Sequence, residues 1–275
     1  MKPIVNALGK LNRGKRAYAV FVLCATTPIA LSAQTVTTLA SFNGTDGAGP
    51  SAALIQATDG NLYGTAYVGG ANYYGTVFKI TPSGTLTTLY SFCSQSGCTD
   101  GAYPSGALVQ STNGDFYGTT QNGGASDYCG AGCGTIFKIT PSGTLTTLYS
   151  FCSQSGCTDG ENPQAGLVQA TDGSFYGTTG GGGAYNFGTV FSLSVGLGPF
   201  VETLPTFGKV GAAVKILGTN LTGATSVSFN GTAAVFEVVS SSEITTTVPT
   251  GATTGTVQVV TPNGTLSSNV PFRAQ

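Results

Sequence analysis

One stretch of this chain is written three times, and a fold must repeat where its sequence does. Ala53–Ile80 (ALIQATDGNLYGTAYVGGANYYGTVFKI) returns as Ala107–Ile139 (ALVQSTNGDFYGTTQNGGASDYCGAGCGTIFKI) and again as Gly166–Leu193 (GLVQATDGSFYGTTGGGGAYNFGTVFSL). Between the copies, Thr85–Phe92 (TLTTLYSF) recurs as Thr144–Phe151 and, ahead of the first copy, as Thr35–Phe42 (TVTTLASF). A period of about 50 residues belongs to propeller-like and other repeat arrays. Thr, Val, Tyr and Phe fill short runs bounded by glycine-rich turns, the composition of short strands in tight hairpins. Each unit then reads as four strands, around Leu54–Gln56, Leu62–Ala66, Thr76–Ile80 and Thr85–Phe92 in the first copy. Asp59-Gly60, Asn113-Gly114 and Asp172-Gly173 are expected to make type I′ turns between the first two strands, and Pro82-Ser83-Gly84 turns the third into the fourth.

The third copy runs into Val195-Gly196 without a fourth strand of its own. Thr35–Phe42 is expected to complete it and remove the exposed edge. The expected fold is therefore all-β: a propeller-like array of three four-stranded repeats over 34–196, followed by an immunoglobulin-like β-sandwich over 200–275. Three units fall short of the roughly four to eight blades of a propeller. A homodimer forming one six-bladed ring, or a monomeric threefold prism or trefoil, would resolve the shortfall.

The run LVQATDG(S/N)(F/L)YGTT, then Gly-Gly, a short loop and GTVFKITPSGTLTTLYSF, resembles the Gloeo/Verruco (GloVer) tandem repeat of secreted bacterial proteins over residues 35–195. The resemblance implies an extracellular location and carries no established biochemical activity. After Gly198-Pro199, period-two runs at Ala213–Leu217, Ser226–Phe229, Ala233–Val239, Ile244–Val248 and Thr256–Val260 indicate the sandwich. GTNLTGATSVSFNGTAA and ITTTVPTGATTGTVQVVTPNG resemble the IPT/TIG immunoglobulin-like domain, which implies a spacer or presentation module.

Lys2, Lys10, Arg13, Lys15 and Arg16 precede the uncharged run Ala17–Leu31, and Ser32-Ala33 offers a small-residue cleavage site. This is the layout of a secretory signal peptide over 1–33. The apolar run, about 15 residues interrupted by Pro28, is shorter than the roughly 20 needed to span a bilayer. Cleavage would leave five basic against eleven acidic residues, a balance with no attraction for nucleic acid or anionic membranes. The expected address is secreted or cell-surface, with the periplasm as a variant.

Six cysteines follow the signal segment, in local pairs Cys93/Cys98, Cys129/Cys133 and Cys152/Cys157. Each pair lies inside an insertion, and copies lacking the insertion lack both members, which favours local disulfides. A thiolate zinc site using CGAGC is the rival, at odds with an oxidising compartment and with a chain that has no histidine.

The absence of histidine also removes the usual general base. Hydrolysis by paired carboxylates is disfavoured because Asp59 and Asp172 are replaced by Asn113 in the middle copy, an exchange that keeps a turn and abolishes acid–base capacity. Asp46, Asp100 and Asp159 recur in a second turn signature, Thr-Asp-Gly. No catalytic residue, metal site or cofactor is expected. The candidate ligand-binding residues are aromatic: Tyr73, Tyr74, Tyr128, Tyr185 and Phe187, in equivalent loops between the second and third strands. Asn72, Asn122, Asp127 and Asn186 flank them as hydrogen-bonding groups for sugar hydroxyls. The competing reading is that these rings only pack the loops. The expected function is a noncatalytic surface or matrix protein, structural or binding extracellular polysaccharide or surface proteins. The alternative is an accessory module or fragment of a carbohydrate-active enzyme system.

Overall fold

The computed structural model describes residues 34–275; the segment read as a signal peptide lies outside the described residues. The first copy forms an antiparallel sheet of β1 (Ile55–Gln56), β2 (Leu62–Ala66), β3 (Thr76–Ile80) and β4 (Leu86–Ser91), in that order. The second repeats it with β5 (Val109–Gln110), β6 (Phe116–Thr120), β7 (Thr135–Ile139) and β8 (Leu145–Ser150). Among the described residues the third has three strands, β9 (Val168–Gln169), β10 (Phe175–Thr178) and β11 (Val190–Leu193), with β11 at its edge.

Burial explains the composition of these strands. Every residue of β6 is buried, and so are four of the five in β7, because the middle sheet is covered on both faces. Tyr63 of the first sheet stacks on Phe116 of the second at 4.2 Å, and Tyr117 stacks on Phe175 of the third at 4.2 Å. A Phe just after each fourth strand crosses into the next sheet's core: Phe92 meets Phe137 at 5.2 Å, and Phe151 meets Phe191 at 5.1 Å. The Gly in each Tyr-Gly-Thr run makes room for this ring. A Cβ at Gly118 would stand 2.6 Å from Phe137, whose Cα is its cross-strand partner. Hydrogen bonds add to the stacking, from Thr65 Oγ1 to the Gly106 carbonyl (3.1 Å) and from Thr119 Oγ1 to the Ala165 carbonyl (2.9 Å).

Two expectations need correction. Thr35–Phe42 is not a strand, and does not complete the third sheet. Its C-terminal end packs on the first sheet instead, with Phe42 edge-on to Phe78 at 5.0 Å. The Asp-Gly hairpins are not type I′, since only the glycine takes positive φ (Gly60 +82°, Gly114 +86°, Gly173 +91°). Gly60 N–H donates to the Ala57 carbonyl and Ala57 N–H to the Asn61 carbonyl, both at 2.9 Å. This is a three-residue loop, a type I turn closed by a left-handed glycine.

The C-terminal segment forms two four-stranded sheets. One orders β12 (Glu202–Leu204), β14 (Ala213–Leu217), β18 (Glu243–Thr247) and β17 (Phe236–Val238). The other orders β16 (Thr232–Ala234), β15 (Ser226–Phe229), β19 (Val257–Thr261) and β20 (Gly264–Ser267). A short parallel pair, β13 (Phe207–Gly208) with β21 (Arg273–Ala274), stands beside them. Alternate residues such as Val214, Ile216, Val227, Phe229, Val257 and Val259 point into one apolar core. The expected run Ala233–Val239 is broken at Val235, which is exposed, so that β16 and β17 serve different sheets. The sandwich joins the repeats through the Phe200 N–H, donated to the Thr171 carbonyl at 2.9 Å, and a 2.8 Å contact between the Thr171 and Thr219 hydroxyls.

Tyr117 and Tyr176 occupy the same repeat position, yet Tyr117 is 2% exposed and Tyr176, with no following sheet to stack on, is 39% exposed. Tyr117→Ala is expected to lower unfolding stability by about 3–5 kcal/mol, as buried aromatic truncations do, and Tyr176→Ala by about 1 kcal/mol or less. Chemical denaturation of the two variants, with disulfides intact, measures the difference.

Candidate aromatic loop face

In an antiparallel sheet, alternate connections emerge at opposite ends. The second-to-third-strand loop of each repeat therefore shares an end with the linker that follows the fourth strand. Backbone bonds fasten each loop to the linker that precedes its repeat: Gly70 N–H to the Gly44 carbonyl (2.9 Å), Gly124 N–H to that of Cys98 (3.0 Å), and Gly183 N–H to that of Cys157 (2.9 Å). Successive repeats are tied at the same end, by Tyr103 N–H to the Tyr74 carbonyl and Asn162 N–H to that of Cys133, both at 2.8 Å. The three loops thus belong to one continuous surface. The sandwich meets the third repeat at the opposite end, beside the Asp172-Gly173 turn.

Tyr73, Tyr128 and Tyr185 project from this surface with 72% to 85% of their area exposed, and among the described residues none contacts another aromatic ring. Tyr73 also has φ +67°, a left-handed conformation that costs a non-glycine residue about 1–2 kcal/mol. The equivalent residue of the third loop is Asn186, φ +60°, one of the side chains that tolerates this region best. The other two candidates occupy a different position. Tyr74 packs on Tyr103 of the next linker at 5.4 Å, and its equivalent Cys133 is fully buried. Phe187 fills that same position in the last repeat and is 91% exposed.

The flanking polar side chains divide as well. Asn72 Nδ2 donates to the Phe92 carbonyl at 3.0 Å and Asn122 Nδ2 to that of Gly132 at 3.4 Å, so both serve the loops, whereas Asp127 and Asn186 make no side-chain hydrogen bond among the described residues. Tyr67 and Tyr103, 5.2 Å apart, complete an aromatic seam between the first two repeats that sequence reasoning missed. Its one signal was a tyrosine, Tyr103, where the first linker has Gly49.

The acids are engaged in turns. Asp59 accepts from the Asn61 N–H (3.0 Å) and the Tyr63 hydroxyl (2.8 Å), and Asn113 Oδ1 accepts the equivalent N–H of Asp115 (3.0 Å), a task that needs an acceptor and no charge. The Thr-Asp-Gly acids do more. Asp100, fully buried, accepts from the Tyr90 hydroxyl (2.8 Å), the Ser94 N–H and hydroxyl, and the Gln95 N–H. Asp159 repeats the arrangement with Tyr149 (2.7 Å), Ser153 and Gln154. Burial alone would raise the Asp159 carboxyl, but these hydrogen bonds outweigh it and hold the group below its ordinary value. Burial, then the bond to Asp100, pushes the Tyr90 phenol up to about 12.

Cys93–Cys98, Cys129–Cys133 and Cys152–Cys157 are disulfide-bonded. Three of these sulfurs (Cys129, Cys133, Cys152) and a Glu161 oxygen lie within 4.8 Å of one another. Held as disulfides, the sulfurs offer no thiolate, and the set is not a metal centre in this state. A cavity of about 840 Å³ lies at the other end, between the first strands of the repeats and the sandwich residues Phe207, Asn269 and Arg273. On its wall Ser111 Oγ and Asn269 Oδ1 are buried without a partner. Ser111 stands where the other copies have Ala57 and Ala170.

Residues 27–235 match the Gloeobacter/Verrucomicrobia repeat and residues 200–274 the IPT/TIG domain. Neither is a catalytic family, and both fit a protein of the extracellular or surface kind. The first match runs past β11 into the sandwich, where the two overlap. No curated protein matches the chain. Among the described residues no helix is long and apolar enough to cross a membrane.

Because the Asp159 carboxyl is held below its free value of 3.8, its contribution to stability is complete above that pH and is lost as pH falls further. Tyr149→Phe removes the hydroxyl donor and is expected to move the acid-unfolding midpoint upward. The Tyr90 phenol works in the opposite sense, stabilising fully below pH 10 and losing its contribution as pH approaches 12. Circular dichroism across pH on the wild type and Tyr149→Phe measures the acid shift.

Proposed function

The chain belongs to the Gloeobacter/Verrucomicrobia repeat family, and from that membership we propose that it is a secreted or surface-held, noncatalytic protein whose loop face binds extracellular polysaccharide. Its repeat sheets are read as consecutive blades of a propeller-like array, with the IPT/TIG domain as the module that presents them. Residues 1–33 direct export, and three disulfides suit an oxidising compartment.

The observation that carries the binding reading is Tyr73, an exposed aromatic ring held in a left-handed backbone conformation where the third repeat uses Asn. Local preference does not select tyrosine there, and departures of this kind concentrate at functional positions. Tyr128 and Tyr185 supply one further exposed ring in each of the next two loops. A polysaccharide offers apolar sugar faces at a regular spacing, so one ring per repeat can engage a single extended chain. The surrounding loops are glycine-rich and nearly uncharged, which suits a neutral, hydroxyl-rich ligand better than a charged one.

Binding of the exported, purified protein to a panel of soluble and insoluble polysaccharides tests this reading. The triple variant Tyr73→Ala/Tyr128→Ala/Tyr185→Ala is expected to fold and to bind at least about tenfold more weakly, since each aromatic contact is worth about 0.5–1.5 kcal/mol. Tyr74→Ala, which removes an inter-repeat contact, should leave binding in place. Affinity should change little between 0.05 and 0.5 M salt, as expected where no ion pair is involved. A folded protein that binds none of the polysaccharides, or a triple variant that binds as well as the wild type, would refute the assignment.

A further inference from the structure

We propose that a second copy of this chain completes the third repeat sheet by laying its Thr35–Phe42 segment along the free edge of β11, so that two chains form one ring of six four-stranded sheets. The inference rests on the propeller-like arrangement above and is independent of the sugar-binding face.

The order of elements along the chain is the starting point. Each TLTTLYSF strand belongs to the sheet before it, and its terminal Phe belongs to the sheet after it. β4 pairs with β3, while Phe92 lies in the core with Phe116 and Phe137. β8 pairs with β7, while Phe151 lies with Phe175 and Phe191. Thr35–Phe42 has the following half of this arrangement and lacks the preceding half. Phe42 packs on Phe78 as Phe92 does on Phe137. Gly84 closely approaches the Leu39 carbonyl, as Gly143 approaches that of Leu89. Leu39 and Phe42 therefore stand, relative to the first sheet, where the end of a preceding sheet's fourth strand would stand, and the described residues supply no such preceding sheet.

The far end of the array is incomplete in the complementary way. β11 has no fourth strand, and Val190 is 80% exposed where its equivalents Val77 and Ile136 are buried. A groove of about 400 Å³ runs along β11, walled by Tyr149, Phe151, Thr158 and Asp159 of the preceding strand and linker. In the second sheet the fourth strand seats Thr147 Oγ1 on the Thr99 carbonyl of the corresponding linker, at 3.3 Å. Thr38 is the matching residue of the N-terminal segment, and Thr158 that of the linker.

Four other inter-repeat contacts occur twice and lack a third instance. Tyr63 and Tyr117 stack on the next sheet; Tyr176 does not. Thr65 and Thr119 donate to the next sheet's carbonyls, and Thr178 is exposed. Pro104 and Pro163 are buried against Gly75 and Gly134 of the preceding repeat, whereas Pro50 is exposed and Gly188 has no proline beside it. The next linker packs on Tyr74, leaving it 36% exposed, and accompanies the full burial of Cys133, whereas Phe187 is 91% exposed. The unmatched halves lie on the last repeat in every case, and their complements lie on the first repeat or the linker before it. A head-to-tail contact between copies pairs them by position, with Leu62 in the place of Phe116 and Phe175 and Gly49 in the place of Tyr103. One chain supplies three sheets and three chains nine, whereas propellers hold about four to eight, so closure selects two copies.

The edge is also unguarded. β3 and β7 carry Lys79 and Lys138, and β11 has Ser192 at that position. Exposed edges are ordinarily protected by charge, proline or a bulge; β11 and TVTTLASF have neither charge nor proline.

Light scattering on the exported protein is expected to give the mass of two chains. Val190→Lys should give one chain with an unchanged circular dichroism spectrum, because that side chain is exposed in the single copy and buried by the incoming strand. The repeat register, Thr87 opposite Lys79, places Thr37 opposite Ser192 of the other copy. Thr37→Cys and Ser192→Cys chains produced together should therefore yield a covalent pair containing one of each. A wild-type mass of one chain, or of three or more, overturns the proposal. So does a Thr37→Cys/Ser192→Cys double variant whose link forms within one chain, since that would mean the segment completes its own third sheet.

Discussion

A four-stranded sheet that is apolar on both faces cannot stand alone in water, and everything else in the repeat region follows from that. The Tyr of one sheet lies flat on the Phe of the next, 4.2 Å away in both instances, and a second Phe crosses from the linker into the following core. Burial on both faces leaves the inner strands room for charge only at the half-buried Lys79 and Lys138, in keeping with a chain only 8% charged. The same packing demands glycine at Gly64, Gly118 and Gly177, where a Phe ring of the third strand lies against the backbone. Hydrophobic burial holds such a chain together only while neighbouring sheets remain in contact, so its stability is a sum of interfaces more than of sheets.

The linkers show how much freedom remains once those interfaces are satisfied. The second and third carry a disulfide and a Tyr–Asp contact, Tyr90 with Asp100 and Tyr149 with Asp159. The first has neither: Ala40 stands in the Tyr position, and Asp46 accepts the N–H of its own neighbour Asn43 at 2.9 Å. A disulfide closing so short a loop removes little chain entropy. The insertions therefore shape the loop end more than they stabilise the sheets, and it is at this end that the three copies differ most and the exposed tyrosines sit.

Much of this was legible in the residues, because internal repetition supplies the comparison that a single sequence otherwise lacks. Leu62–Ala66 and Thr76–Ile80 are strands to the residue, their β-branched and aromatic residues bounded by glycine-rich turns. What escaped depended on long-range contact. TVTTLASF has the pattern of a strand and is not one, since strand formation needs a neighbour and this segment pairs with no strand among the described residues. The Asp-Gly turns were read from dipeptide preference, but Asp59 supplies a side-chain acceptor where a type I′ turn would require its backbone to carry positive φ. The break at Val235 and the short strands β12 and β20 were hidden because the two sheets of the sandwich exchange partners within a few residues. In the loop face, the exposure of Tyr73, Tyr128 and Tyr185 could not be separated in advance from the packing of Tyr74, because the difference lies in whether the next linker covers the ring.

That last distinction yields a general rule for a protein of this kind. An exposed apolar residue whose repeat equivalents are buried marks a missing neighbour: Tyr176 against Tyr63 and Tyr117, Val190 against Val77 and Ile136, Phe187 against Cys133. An exposed ring at a loop tip, with an exposed ring in every copy, has no missing neighbour to explain it, because each repeat has already received all the packing its position allows. Tyr73, Tyr128 and Tyr185 are of this second kind. In the single chain the first class leaves apolar area in water that the proposed second copy would cover; the second class lies outside that contact and is what the proposed sugar recognition would use. The proposed assembly and the proposed recognition thus draw on separate residues of the same repeats, and each can be altered without disturbing the other.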